Sequence, residues 1–235
     1  MLKLIALCLM LVDHFGMVFF PEVIGFRMIG RLSMPLFAYG LARGFQKTRS
    51  LKKYKERILL FAFISQIPYG LMNVAVYQTQ ESFWKFNIGF TFWAALGVLS
   101  SYKGLKTFWH TKRKIQENFL KSSGYLISIM LLVGFVELFQ CDYGAYGILL
   151  VVAFYEGYVC QKNILLTLVL IFGATLMLFA TGGSFLVAMQ LGGGVLGFLL
   201  VLFVEDTYFK SANKWLYSVY PMHMLLFAFI KQLQR

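Results

Sequence analysis

The stretch KLIALCLMLVDHFGMVFFP at residues 3–21 is an apolar run that carries an acid and a histidine side by side, Asp13 and His14. About 20 apolar residues are enough to cross the ~30 Å hydrocarbon core of a bilayer as a helix. A charged side chain in such a helix costs about 2.5–3.5 kcal/mol on insertion scales, and it faces a cavity or a partner. The stretch therefore predicts a membrane-spanning helix that has a reason to keep both ionisable residues.

Apolar runs of similar length recur along the whole chain. Of the 235 residues, 59% are hydrophobic and 14% are charged. In soluble domains about half of the residues are apolar and about a quarter are charged. The hydrophilic stretches between the runs are too short to fold on their own. We predict one domain over residues 1–235, an all-α polytopic integral membrane helical bundle.

The spacing of the apolar runs predicts about nine transmembrane helices, because backbone in lipid must satisfy its own hydrogen bonds. Pro35, Pro68 and Pro221 fall inside these spans and are expected to kink them. TGGS at 181–184 is either a tight turn or the break of a re-entrant hairpin, and GGGVLG at 192–197 indicates close helix packing through small residues. The predicted spans are 3–20, 29–46, 57–77, 86–103, 122–140, 143–160, 163–180, 184–204 and 214–232.

The net charge of +12 comes mainly from two loops. Loops 43–57 and 103–121 hold seven and six Lys or Arg, while loops 21–28 and 78–85 hold one each. Basic loops stay on the cytoplasmic side, so we expect a multi-pass protein of the plasma membrane with a cytoplasmic N-terminus. This pattern explains the basic charge through membrane topology and contact with membrane lipids, so no nucleic-acid partner is expected.

A small set of polar side chains interrupts the spans. Arg27 and Arg31 are four residues apart, on one helical face, and could address one anion together. The structural alternatives are an ion pair of Asp13 with either arginine, a packing role for His14, a loop-lysine partner for Glu156 and simple interhelical hydrogen bonds. The polar residues within or beside the spans are Asp13, His14, Arg27, Arg31, Ser65, Gln66, Asn73, Asp142, Glu156 and His223.

These residue types are the parts of an acyl-transfer site. A histidine near neutral pKa can take a proton from an attacking amine or hydroxyl, and arginines can bind phosphate or a developing oxyanion. Asp142, or Asp13 indirectly, could orient the imidazole. No GxSxG motif is present, which favours direct transfer over a covalent enzyme intermediate, and we expect no metal.

The same residues carry a resemblance to the TraX family, which is named for a conjugation protein that acetylates the N-terminus of pilin subunits. The motifs, in chain order, are the Asp-His pair of 3–21, GRLSMPLFAYGLARGF (30–45), SQIPY (65–69), DYGAYG (142–147) and YPMH (220–223). TraX proteins resemble wider groups of multi-spanning acyltransferases that use cytosolic acyl-CoA, in which an early histidine and nearby arginines are implicated. The resemblance implies that His14 has the role of this histidine in catalysis and that Arg27 and Arg31 have the role of these arginines.

We therefore predict an integral membrane acetyltransferase that moves an acetyl group from acetyl-CoA to an envelope acceptor, such as a pilin amine or a glycan hydroxyl. A proton-coupled transporter or flippase, with His14, Asp13 and Glu156 as a relay, and a non-catalytic scaffold of envelope assembly are the alternatives. The predicted catalytic residues are His14, Asp13 and Asp142. The predicted substrate- or cofactor-binding residues are Arg27, Arg31, Ser65, Gln66, Asn73, Tyr143 and His223.

Overall fold

The computed structural model describes residues 2–109, 115–180, 184–204 and 215–234, and it is helical throughout these ranges apart from short turns. A 3₁₀ turn at Gln80–Trp84 precedes α5, a π-helical segment at Phe154–Cys160 continues α7, and a 3₁₀ turn at Met177–Ala180 continues α8. The helices are α1 Leu2–Phe19, α2 Ile24–Gly30, α3 Ser33–Lys47, α4 Leu51–Tyr77, α5 Ile88–Trp109, α6 Ile115–Leu138, α7 Gly144–Ala153, α8 Ile164–Leu176, α9 Ser184–Val204 and α10 Trp215–Leu233.

The prediction of an all-helical membrane protein is confirmed in its coarse form. Four of the described helices have the length and apolarity to cross a membrane: α1, α4, the Leu120–Leu138 part of α6, and α9. Each predicted span contains helix, but the count of nine membrane crossings stays a prediction. Residues 181–183, which hold most of the TGGS motif, lie outside the described residues.

The second predicted span, 29–46, is not one helix. Helix α2 ends at Gly30 and α3 begins at Ser33. The cause is Pro35, which has no backbone N–H to donate to the Arg31 carbonyl four residues earlier, and proline is tolerated in the first turn of a new helix. The expected kink is therefore a full break, and it places Arg31 at the junction of two helices.

The π-helical segment Phe154–Cys160 lies at the end of the predicted sixth span. The Nζ of Lys106 on α5 forms an ion pair with Oε1 of Glu156, and Nε2 of Gln161 donates to the same oxygen at 2.6 Å. Glu156 thus has the lysine partner that the sequence left as one of its two interpretations.

The buried core has two parts. The larger lies among α3, α5, α7, the π segment and α9, with Tyr39, Leu96, Phe154 and Phe198 at its centre. The smaller lies among α1, α4 and α10, where three methionines, Met10, Met72 and Met224, meet Tyr220. Asp13 and His14 are buried on α1, which contacts helices of both parts.

Helix α9 packs against the break between α2 and α3 through glycines. A Cβ added at Gly193 would lie 2.8 Å from the Cβ of Arg31 and 3.0 Å from its carbonyl oxygen, whereas a Cβ at Gly192 would meet nothing within 4 Å. A Cβ at Gly197 would lie 2.7 Å from the ring of Pro35. The interpretation of GGGVLG as a close-packing motif is therefore confirmed at Gly193 and Gly197.

This contact makes a prediction with a control in the neighbouring residue. Gly193→Ala should destabilise the bundle by about 1–3 kcal/mol, because the new methyl group overlaps the Arg31 backbone. Gly192→Ala should be neutral or stabilise it by up to about 1 kcal/mol, since alanine is the better helix former. Thermal unfolding in detergent measures both variants. Equal melting temperatures would contradict the packing between α9 and Arg31.

Candidate functional site

One large cavity of about 1760 Å³ runs along the inside of the bundle. At one end it is lined by exposed side chains, including Lys3 of α1, Lys47 of α3 and Arg57 of α4. At the other end its lining includes Tyr77 and Lys85, which are also exposed. The lining residues on α1 run from Lys3 to Met17, so the cavity follows most of this helix, about 21 Å at 1.5 Å per residue.

The middle of this cavity is polar. Of the ten site residues that the sequence predicts, seven line the cavity: Asp13, His14, Arg27, Arg31, Asn73, Asp142 and Tyr143. They come from α1, α2, the break after α2, α4 and the turn before α7. The expectation that these residues share one neighbourhood, although they come from different spans, agrees with the structure.

His14 is bonded to the second buried histidine. Its Nδ1 lies 2.7 Å from Nε2 of His223 on α10, and Nδ1 of His223 lies 2.8 Å from the carbonyl oxygen of Val219. Both imidazoles are buried, with exposed fractions of 8% and 7%. His14 lines the cavity and His223 does not.

The sequence suggested that Asp142, or Asp13 indirectly, could orient the His14 ring, and the structure gives the ring's Nδ1 a different partner. That nitrogen bonds to His223 and not to Asp142 or Asp13. The sequence hid this contact because 209 residues separate the two histidines. The assignment of Asp13 and Asp142 as catalytic residues stays a prediction.

Asp13 forms an ion pair with Arg27. Nη1 of Arg27 lies 3.1 Å from Oδ2 of Asp13, and the two side chains are 26% and 10% exposed. This pair joins α1 to the short helix α2. It is the ion pair that the sequence analysis gave as the structural alternative for Asp13. The other carboxylate oxygen, Oδ1, is buried without a protein partner.

Arg31 has a different partner from Arg27. Its Nη1 donates to the hydroxyl of Tyr143 at 2.9 Å, and its guanidinium lies 5.5 Å from the centre of that tyrosine ring. Its Nε is buried without a protein partner. The idea that both arginines address one anion is therefore not supported, because each guanidinium binds a separate side chain.

The turn before α7 positions Asp142 and Tyr143. The backbone N–H of Asp142 donates to the carbonyl of Phe86 at 2.8 Å, and its own carbonyl accepts from the Thr91 hydroxyl at 2.6 Å. Tyr143 has a φ of 64°, a left-handed conformation that costs an L-residue about 1–2 kcal/mol. The strained turn places the Tyr143 hydroxyl on Arg31.

Three predicted binding residues do not line the cavity: Ser65, Gln66 and His223. Gln66 donates to the carbonyl of Lys85 at 2.8 Å and accepts from the backbone and side chain of Asn87 at 3.1 and 2.9 Å. It thereby stabilises the start of α5, where the Asn87 Oδ1 accepts from Gly89. Ser65 and Gln66 thus lie outside the lining of this cavity, and the binding roles assigned to them stay predictions.

Among the cavity residues that the sequence did not select are Tyr69, Tyr220 and Gln190. The ring of Tyr220 lies 6.3 Å from that of His14. Tyr69 and Tyr220 belong to the motifs SQIPY and YPMH, so the motifs themselves were a usable signal. Gln190 is a lone polar residue in an apolar span, and the criterion that selected Asn73 would have selected it too.

The described residues offer proton-transfer and hydrogen-bonding chemistry. A buried imidazole, a tyrosine hydroxyl and a guanidinium face the same cavity, and among the described residues no three His, Cys, Asp or Glu side chains form a metal-binding group. The fold and this cavity together define a class: an all-helical membrane protein with a polar site that faces a cavity inside the bundle.

The comparison with protein families identifies the particular family within this class. The TraX protein family model matches residues 1–231, so the chain belongs to the TraX family.

Two relatives in the curated collection of proteins match part of the chain. One is an uncharacterized protein of Rickettsia prowazekii (strain Madrid E), 24% identical over 163 residues, or 69% of this chain and 56% of the relative. The other is "Probable fimbrial assembly protein FimC, serogroup H1" of Dichelobacter nodosus, 36% identical over 75 residues, or 30% of this chain and 31% of the relative. The match thus covers about half the length of the first relative and about a third of the length of the second. No solved structure matches.

Proposed function

We propose that this protein is an integral membrane acetyltransferase that moves an acetyl group from acetyl-CoA to an amine or hydroxyl of an envelope acceptor. The observation that supports it best is the position of His14 in the wall of a cavity that reaches both ends of the bundle. Such a cavity gives a donor and an acceptor separate routes to one imidazole.

The comparisons support a pilus-related acceptor. The TraX family match covers nearly the whole chain, and a relative bears a fimbrial assembly name. A pilin N-terminus is therefore the first acceptor to test, and a surface glycan is the second. Neither comparison names acetyl-CoA as the donor, so the identity of the donor is part of the proposal.

The proposed reaction needs one proton acceptor and one charge stabiliser. His14 removes the proton from the acceptor N–H or O–H as that atom attacks the thioester carbonyl carbon. Arg31 and the Tyr143 hydroxyl stabilise the negative charge on the carbonyl oxygen. The C–S bond then breaks, and the proton on His14 passes to the departing CoA sulfur, which restores the neutral imidazole.

The phosphates of the donor fit the basic end of the cavity better than its centre. At the centre, the charges of Arg27 and Arg31 are accompanied by those of Asp13 and Asp142. At the basic end, Lys3, Lys47 and Arg57 line the cavity and are exposed. We place this end in the cytoplasm of a plasma-membrane protein with nine spans, because the lysine- and arginine-rich segment 43–57, where α3 ends and α4 begins, lies there.

This placement predicts a change in donor affinity. Arg57→Ala with Lys47→Ala should raise the KM for acetyl-CoA by roughly 10-fold or more and leave kcat nearly unchanged, because both residues bind the donor equally in the ground and transition states. Lys52→Ala is the matched control, since Lys52 is exposed on α4, as Arg57 is, but does not line the cavity. An unchanged KM in the double variant would place the phosphates elsewhere.

Purified protein in nanodiscs with radiolabelled acetyl-CoA tests the function itself. We expect label on a pilin peptide or an envelope glycan, and mass spectrometry of surface proteins and polymers from cells with and without this chain identifies which. Proton flux in liposomes without any acetyl transfer would support a transporter instead. A protein that neither binds nor transfers label would be a scaffold.

The structure disfavours the transporter that the sequence left open. That model uses Glu156 in a relay with His14 and Asp13, but Glu156 binds Lys106 and does not line the cavity. The scaffold alternative accounts for the Asp13–Arg27 pair but gives no reason for a histidine in the cavity wall.

A further inference from the structure

We propose that His223 is a positioning residue that fixes which nitrogen of His14 carries the proton. The catalytic meaning of this inference rests on the proposed function, while the proton position itself does not. His223 was expected to bind substrate, but it lies behind His14 and not in the cavity wall.

The proton positions follow from the hydrogen-bond partners. The Val219 carbonyl can only accept, so Nδ1 of His223, 2.8 Å away, must carry a proton. A neutral imidazole has one proton, so Nε2 of His223 is an acceptor. The Nδ1 of His14, 2.7 Å from that acceptor, must therefore donate. The lone pair of His14 is left on Nε2.

The ring geometry suits this bond. The two ring planes differ by 19° and their centroids lie 5.0 Å apart, so with 2.7 Å between the nitrogens the rings meet edge to edge. Tyr220 and Phe227 pack on His223, with ring centroids 5.8 and 5.5 Å away. Val219 and His223 are one helical turn apart on α10, so the same helix holds the His223 ring and the carbonyl that fixes its proton.

The arrangement does for His14 what a carboxylate does for the histidine of a hydrolase triad. It keeps the ring in the tautomer with a free Nε2 and orients it. When His14 takes a proton at Nε2, His223 accepts the hydrogen bond from the imidazolium that forms. The Val219 carbonyl keeps the one ring proton of His223 on Nδ1, and the positive charge on His14 stays next to an acceptor until the proton passes to the CoA sulfur.

Nitrogen NMR tests the proton positions without any enzymatic activity. The chain has three histidines, so protein labelled with ¹⁵N-histidine gives few signals, and the His110→Asn and His223→Leu variants assign them. We expect both His14 and His223 to carry their proton on Nδ1. A His14 proton found on Nε2 in the unsubstituted protein would overturn the proposal.

Steady-state kinetics test the catalytic consequence. His223→Leu removes the acceptor and should lower kcat at least 100-fold, and up to the ~10⁴-fold loss seen when a triad histidine is left in the wrong tautomer. The KM for acetyl-CoA should change less than threefold. His223→Gln, whose amide offers both a donor and an acceptor, should recover at least 10-fold in kcat over His223→Leu.

These outcomes separate the two proposals. If the unsubstituted protein is inactive but both histidines carry their proton on Nδ1, the proposed function is wrong and the assignment of the tautomer stands. An active protein in which His223→Leu, folded by circular dichroism, keeps its kcat would sink the positioning role alone. A rise in KM with kcat unchanged would restore His223 to substrate binding.

Discussion

His14→Asn should lower the rate of acetyl transfer by about 10²–10⁴-fold, the usual contribution of a general base, and leave the bundle folded. Asparagine is the informative replacement because its amide N–H₂ lies near the position of Nδ1. It can therefore still donate to Nε2 of His223, which lies 2.7 Å from Nδ1 of His14 in the unsubstituted protein. What it lacks is the second nitrogen, so the variant removes the base and keeps the contact between α1 and α10.

The matched variant is His14→Leu, which removes both the base and the contact. We expect the two variants to be equally inactive, with His14→Leu melting at a lower temperature because His223 loses its buried partner. The kcat, the KM for acetyl-CoA and the melting temperature in detergent are the measurements. Activity near that of the unsubstituted protein in His14→Asn would remove His14 from its proposed role.

The second large effect is expected on stability. Asp13→Leu leaves Arg27 without its partner beside a buried site, and breaking a buried ion pair typically costs 3–5 kcal/mol. Because the Arg27 side chain is 26% exposed and water can reach it, we expect a loss near the lower end, about 3 kcal/mol. The free energy of unfolding in a mixed detergent series measures it.

The control is the double variant Asp13→Leu with Arg27→Leu. Replacing both members of a buried pair with apolar residues is often close to neutral, so the double variant should regain most of the lost stability, and the double-mutant cycle gives the coupling energy. If Asp13 also serves catalysis, the double variant is stable and inactive. A double variant as unstable as Asp13→Leu alone would contradict the ion pair as the reason for the loss.

Much of this fold was predictable because its signals are local. The apolar run around Asp13 and His14 predicts a helix, and α1 covers Leu2–Phe19. The glycines of GGGVLG predict close packing, and Gly193 lies against the Arg31 backbone. The break at Pro35 was underestimated as a kink, although a proline that withholds one hydrogen bond at a helix start is enough to separate two helices.

The pairing within the site was less predictable. The sequence selected His14 and His223 separately, but nothing local shows that α1 and α10 bring them to 2.7 Å. The expectation that a carboxylate would hold the imidazole came from the commonest pattern of such sites, and the structure uses a second histidine instead. Gln66 shows the same limit, because a polar residue in a span looks the same whether it binds a ligand or holds Asn87 at a helix start.

The cavity that follows α1 has a consequence for how the molecule works. A transporter must alternate between inward-facing and outward-facing shapes, since its cargo has to cross the barrier. Here only the acetyl group would pass from the cytoplasmic side to the outer side. CoA would deliver it from the cytoplasmic end of the cavity, and the envelope acceptor would receive it from the outer end. On this view the bundle can remain rigid through the whole cycle, and crosslinks between α1 and α10 should leave turnover intact.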